Sequence, residues 1–123
     1  MDNIILTGYM GSGKTTVGRN VAKLMNYTFV DTDELIVEQQ NRSINEIFAA
    51  DGEQAFRDME TALLQKLIAD KKEHLVISTG GGMPLRAENR QLLSRLGKVV
   101  YLKASPKTIY NRIKGDTTRP LLQ

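Results

Sequence analysis

Residues 8–15 read "GYMGSGKT" and satisfy every fixed position of G-x-x-x-x-G-K-[ST]. At ordinary residue usage such a match arises by chance in roughly four chains per thousand of this length. The flanks make chance rarer. Residues 3–7, "NIILT", form an apolar strand-like run, and residues 14–25 place Val17, Val21, Ala22 and Leu24 on one face of a helix. A strand, a glycine loop and a helix in that order aim backbone N–H groups and the positive end of a helix dipole at one point, which suits a phosphate. Gly8, Gly11 and Gly13 keep side chains out of the cradle, with Ser12 and Thr16 beside it. Lys14 can reach β- and γ-phosphate oxygens as a point charge, and Thr15 can offer a hydroxyl to Mg²⁺.

Three more short apolar runs follow: "TFV" at 28–30, "LVIS" at 75–78 and "KVVYL" at 98–102. They are too continuous for strands with one wet face and suit a sheet covered on both sides. Helical segments lie between them. "SINE" at 43–46 matches a capping box. Phe56, Met59, Leu63, Leu64 and Leu67 recur at helical spacing within residues 53–70. Ser105 and Pro106 begin a further helix that Gly115 stops. The alternation predicts an α/β fold: a central parallel sheet of about four strands between layers of helices. Ligands of such sheets bind beyond the carboxyl ends of the strands. The segments there are "GYMGSGKTT", "DTDE", "TGGG" and "KASP".

Composition narrows the partners. The 123 residues suit a single domain, with 41% hydrophobic and 25% charged residues. The net charge of +3 comes without any block of like charges, so no nucleic-acid partner is indicated. Absence of cysteine excludes disulfides, thiol chemistry and cysteine zinc sites. The single histidine, His74, precedes an apolar run and reads as a surface residue. No apolar run approaches the roughly 20 residues needed to span a bilayer, and no signal segment is visible at the start. A cytoplasmic protein without a membrane partner is expected.

Phosphoryl transfer in this class uses an acidic residue at a strand end on the metal side. Asp31 closes "TFVD" and is the candidate for the Mg²⁺ shell through water; a helix cap or a solvated turn carboxylate is its alternative. Asp33 can orient an acceptor hydroxyl and take its proton; its alternative is the N-cap of the "ELIVEQQ" helix. Gly80, Gly81 and Gly82 are entropically costly in succession. Either they form a loose turn or something lies against bare backbone there.

The phosphate loop, "FVDTDELI", "IFAADGEQAFRDME", "STGGG" and "TTRPLL" together resemble the shikimate kinase family along nearly the whole chain. The resemblance implies transfer of the γ-phosphate of ATP to the 3-hydroxyl of shikimate, with Mg²⁺, on a P-loop fold of five parallel strands. It implies a monomer, a substrate-binding subdomain at about residues 32–60 and a lid beginning at 112–123. Position by position, Asp33 and Arg57 hold the acceptor, Glu60 orients Arg57, and Gly80, Gly81 and Gly82 wall the site. Phe48 packs on the ring, Arg112 lies near the adenine, and Arg119 reaches the transferring phosphate from the lid. Plain core for Phe48 and a solvated helix charge for Arg112 stay open. A family member continues past Gln123 with more lid, a fifth strand, a last helix and another substrate-binding arginine. The chain therefore reads as an incomplete core whose turnover is expected to suffer. Rival readings are a gluconate or nucleoside-monophosphate kinase of the same fold, or a non-catalytic nucleotide-binding module.

Overall fold

The structure is a computed structural model that describes residues 2–8 and 13–102. Four strands, β1 (Ile4–Gly8), β2 (Thr28–Asp31), β3 (Leu75–Ser78) and β4 (Lys98–Leu102), form one parallel sheet in the order β2-β3-β1-β4. Five helices flank it: α1 (Lys14–Met25), α2 (Thr32–Gln40), α3 (Ile44–Asp51), α4 (Glu53–Ala69) and α5 (Ala87–Leu96). A short 3₁₀ turn spans Met83–Leu85. The predicted α/β architecture and all four strands are present.

Strand periodicity sorts the core into two layers, because successive side chains leave a strand on opposite faces. Ile5 and Ile77 point into a cluster with Ile36, Ile47, Phe56, Leu64 and Leu93, so α2, α3, α4 and α5 cover that face. Leu6 and Val76 point the other way, against Val17, Val21 and Ala22 of α1. The connection from β1 to β2 thus crosses on the α1 face, and that from β3 to β4 crosses on the α5 face. The two connections diverge between β1 and β3, which opens a crevice at the carboxyl ends of those strands.

Several expectations need correction. Continuous burial holds for β1 and β3, whereas β4 leaves Val99 41% and Tyr101 56% exposed, because β4 stands at the edge of the described sheet. Leu24 is 76% exposed and lies outside the cluster that buries Val17, Val21 and Ala22. Helix α5 has no counterpart in the predicted elements. Its start carries no side-chain cap, and a polar residue, Asn89, holds a fully buried position beside Leu92, Leu93 and Leu96. The missing cap hides its start, although Leu92, Leu93 and Leu96 keep helical spacing. The "SINE" capping box is present in both directions: Ser43 Oγ accepts from the Glu46 N–H, and Glu46 Oε1 accepts from the Ser43 N–H. His74 is a surface residue just before β3. The expected helix after Ser105 lies outside the described residues.

Candidate active site

Parallel register sets the strand ends level. Leu6 and Asp31 both pair with Ser78, and Gly8 pairs with Leu102. The loops beyond these ends meet on one rim.

Gly13 caps α1 in the left-handed region at φ 84°, a conformation that glycine adopts without a Cβ penalty. Lys14 follows in the first turn. Its Nζ donates to the Gly8 carbonyl at 2.9 Å and to the Thr79 carbonyl at 2.8 Å, spanning the β1–β3 crevice. Burial pulls the Lys14 pKa below its usual value, and the nearby Asp31 and Asp33 charges oppose that shift. Thr15 and Thr16 are exposed at the helix start. Gly11, Ser12, Arg112, Arg119 and the predicted lid lie outside the described residues.

The "DTDE" stretch divides its roles by geometry. Asp31 is the N-cap of α2, with one oxygen, Oδ1, accepting from the N–H groups of Asp33 (2.9 Å) and Glu34 (3.2 Å). The alternative of Asp33 as N-cap is thereby overturned: the helix begins at Thr32, and Asp33 sits inside its first turn. Thr32 is fully buried, and its Oγ1 accepts from the Gly80 N–H at 3.1 Å, joining this helix start to the glycine loop. Asp33 Oδ1 is buried with no hydrogen-bond partner among the described residues. A buried carboxylate oxygen left empty is a place for a ligand's donor. Burial, aided by the Asp31 charge, raises the Asp33 pKa; Lys14 and Arg57 oppose the shift.

Arg57 and Glu60 stand three residues apart on α4. Arg57 Nη1 donates to Glu60 Oε1 at 2.9 Å, and Nη2 reaches Glu53 Oε1 at 3.4 Å. Glu60 is fully buried, and its second oxygen has no partner among the described residues. Burial raises the Glu60 pKa against the pull of the Arg57 bond. Phe48 is 39% exposed and meets Phe56 edge-on at 5.1 Å, so one ring face stays available.

The glycines after β3 now have a physical reason. A Cβ on Gly80 would fall 2.7 Å from Asp33 Oδ1, and one on Gly82 would fall 2.5 Å from Arg57 Cζ, Nη1 and Nη2. A Cβ on Gly81 would meet nothing within 4 Å. The loop is bare at 80 and 82 because the Asp33 carboxylate and the Arg57 guanidinium lie against it. Sequence reasoning missed Thr32, whose hydroxyl holds the Gly80 N–H, and Thr79, whose carbonyl holds Lys14; only their place beside "D" and "GGG" marked them.

Lys14, Asp33, Arg57 and a bare glycine loop therefore converge beyond β1 and β3, setting an ammonium, a carboxylate and a guanidinium around one crevice. The shikimate kinase family profile matches residues 10–123, and the chain is 48% identical over all 123 residues to a shikimate kinase of Caldicellulosiruptor saccharolyticus, spanning 70% of that protein.

The chain belongs to the shikimate kinase family.

A shikimate kinase of Neisseria gonorrhoeae is 49% identical over 120 residues, 98% of this chain and 69% of that protein. Among solved structures, the shikimate kinase of Acinetobacter baumannii in complex with shikimate aligns with TM-score 0.79 at 42% identity, over 100% of this chain and 68% of that one. A gluconokinase from Sinorhizobium meliloti aligns at TM-score 0.51 and 18% identity, a likeness of fold alone. Shikimate kinases are ATP-dependent kinases.

Among the described residues no group of three or more His, Cys, Asp or Glu side chains could hold a metal ion. A cation here needs phosphate oxygens among its ligands, as Mg²⁺ accepts. The residues fit that arrangement: Thr15 is exposed beside Lys14, and the Asp31 cap bonds occupy Oδ1 only, leaving Oδ2 for a bound water. No described helix is long and apolar enough to cross a membrane.

Proposed function

We propose that this protein transfers the γ-phosphate of ATP to the 3-hydroxyl of shikimate. The observation that carries the reading is the empty, buried Oδ1 of Asp33 against the same bare loop as the Arg57 guanidinium. It calls for a ligand with a hydroxyl donor and a carboxylate, which shikimate supplies and AMP does not.

In this reading Arg57 pairs with the acceptor carboxylate in two parallel bonds, held in place by Glu60 and Glu53. Gly80, Gly81 and Gly82 leave room for the ring, and Phe48 packs on it. Asp33 accepts the proton of the 3-hydroxyl as its oxygen attacks the γ-phosphorus and ADP departs. Burial and the Asp31 charge raise the pKa of Asp33, which makes it a better base than an exposed carboxylate. Lys14 leaves the Gly8 and Thr79 carbonyls for phosphate oxygens and stabilises charge that spreads during transfer. Mg²⁺, held by Thr15 and through water by Asp31, would neutralise phosphate charge and orient the transferring group. Gly11, Ser12, Gly13 and Thr16 complete the cradle; Arg112 borders the adenine and Arg119 closes on the phosphate. Residues 32–60, comprising α2, α3 and the start of α4, act as the acceptor subdomain, and residues 112–123 begin the lid. A monomer in the cytoplasm suits these small ligands.

The test is coupled ADP release by the intact protein with shikimate, gluconate and AMP as acceptors. Shikimate alone is expected to support turnover. Equal rates with gluconate or AMP would remove the assignment.

A further inference from the structure

Asn89 has no part in the chemistry above, yet its side chain is fully buried and committed at both ends. Its Nδ2 donates to the Met83 carbonyl at 2.9 Å. Its Oδ1 accepts from Thr61 Oγ1 at 2.6 Å. Met83 follows Gly82 directly, and its N–H bonds back to the Gly80 carbonyl at 3.2 Å. Thr61 follows Glu60 directly, with its hydroxyl 3.2 Å from the Arg57 carbonyl. A hydroxyl has one proton to give, and the shorter contact, to Asn89, takes it. Arg86 Nη1 then donates to Thr61 Oγ1 at 3.2 Å, while Arg86 Nη2 pairs with Asp58 at 2.9 Å.

One buried amide therefore joins the glycine loop to the helix turn that carries Arg57 and Glu60. These two parts come from different segments of chain, and their separation is critical, because even a Cβ on Gly82 would fall 2.5 Å from the Arg57 guanidinium. A buried amide is costly unless both ends are satisfied, and an apolar residue would fill a core position beside Leu92 and Leu93 more simply. We propose that Asn89 is a positioning residue of the acceptor site: through Met83 and Thr61 it fixes the gap between the glycine loop and Arg57, and so sets affinity for the acid acceptor. This inference rests on the acceptor-site reading above.

The test is steady-state kinetics of the intact protein and of Asn89→Leu, Thr61→Val and Thr61→Ser, with KM measured separately for shikimate and ATP. Asn89→Leu and Thr61→Val should each raise the shikimate KM about tenfold, with the ATP KM within about twofold of wild type. Thr61→Ser, which keeps the hydroxyl, should restore the wild-type value. Gln65→Ala, which cuts an exposed α4–α5 bond to Glu88, should change neither constant. A role in stability alone would lower the Tm and the active fraction with both KM values unmoved, and that result overturns the proposal. So does an equal rise in both KM values. If Asn89→Leu fails to fold, the Thr61→Val and Thr61→Ser pair decides. Wild-type protein inactive on shikimate would instead remove the acceptor-site reading, a separate outcome.

Discussion

Replacing Gly82 with alanine puts a methyl carbon 2.5 Å from three atoms of the Arg57 guanidinium. Ordinary contact begins near 3.4 Å, so the guanidinium must retreat by about 1 Å, a misplacement that can cost up to about a hundredfold in a preorganised site. The fold itself has little to lose. Gly82 sits at φ −92° and ψ −9°, which alanine adopts freely, and Gly→Ala at a compatible site stabilises by about 0.4–1 kcal/mol through the unfolded chain. Arg57 also has room to move, since its side chain is 21% exposed. Gly82→Ala should therefore keep the wild-type Tm within a few degrees, about 1 kcal/mol, and raise the shikimate KM by about ten- to a hundredfold. The assay is a double-mutant cycle with Arg57→Ala, measuring shikimate binding and turnover in all four proteins. If the methyl acts through Arg57, Gly82→Ala adds almost nothing once Arg57 is gone. A full, additive loss in the Arg57→Ala background would mean that the methyl strikes the ligand directly, and the argument would fail.

Arg57→Ala alone should weaken shikimate by about 2–5 kcal/mol if the pair is desolvated, with calorimetric ATP affinity unchanged; equal losses for both ligands would sink the anchor role. Lys14→Ala should abolish turnover while stability moves by no more than about 1 kcal/mol, because among the described residues the half-buried cation is held by two carbonyls; wild-type kcat would end the phosphate reading. Burial raises the Asp33 pKa above the ordinary 3.8, so its folded form prefers the proton, and its contribution to stability is present below the unfolded pKa and lost as pH rises through the folded one. Asp33→Asn should accordingly be inactive yet more stable than wild type at neutral pH, with the gap closing as pH falls to the ordinary carboxylate range. Thermal unfolding across pH checks this, and a gap that widens in acid would refute it. Gly97→Ala should destabilise by more than about 2 kcal/mol, because its Cβ would overlap the Asn3 backbone carbonyl, which cannot step aside; a Tm near wild type would contradict the packing.

The local chemistry was written in short stretches of sequence. "GYMGSGKT" between an apolar run and a helical face specifies a phosphate cradle because each residue type acts where it stands, through bare backbone, a point charge or a hydroxyl. The capping box was equally legible, since both of its bonds join residues three apart. Strand periodicity was legible as elements but not as burial: "KVVYL" has the composition of a covered strand, and only its place beside β1 alone leaves Val99 and Tyr101 open.

What the sequence by itself determined, then, were features whose partners lie within a few residues, such as the capping box at 43–46 and the pairing of Arg57 with Glu60 one turn apart. What only the tertiary structure decided was which distant groups share a wall. Asp33 and Gly80 are separated by more than forty positions, yet parallel pairing of β2 with β3 sets their loops side by side. Asn89 sits in a helix whose polar core position hid it, and it speaks to Thr61 and Met83 only because α4 and α5 pack together on one face of the sheet. The physical reason is that helix and turn chemistry is short-ranged along the chain, whereas the crevice at a switch point exists only after strands from separate segments have been hydrogen-bonded in order.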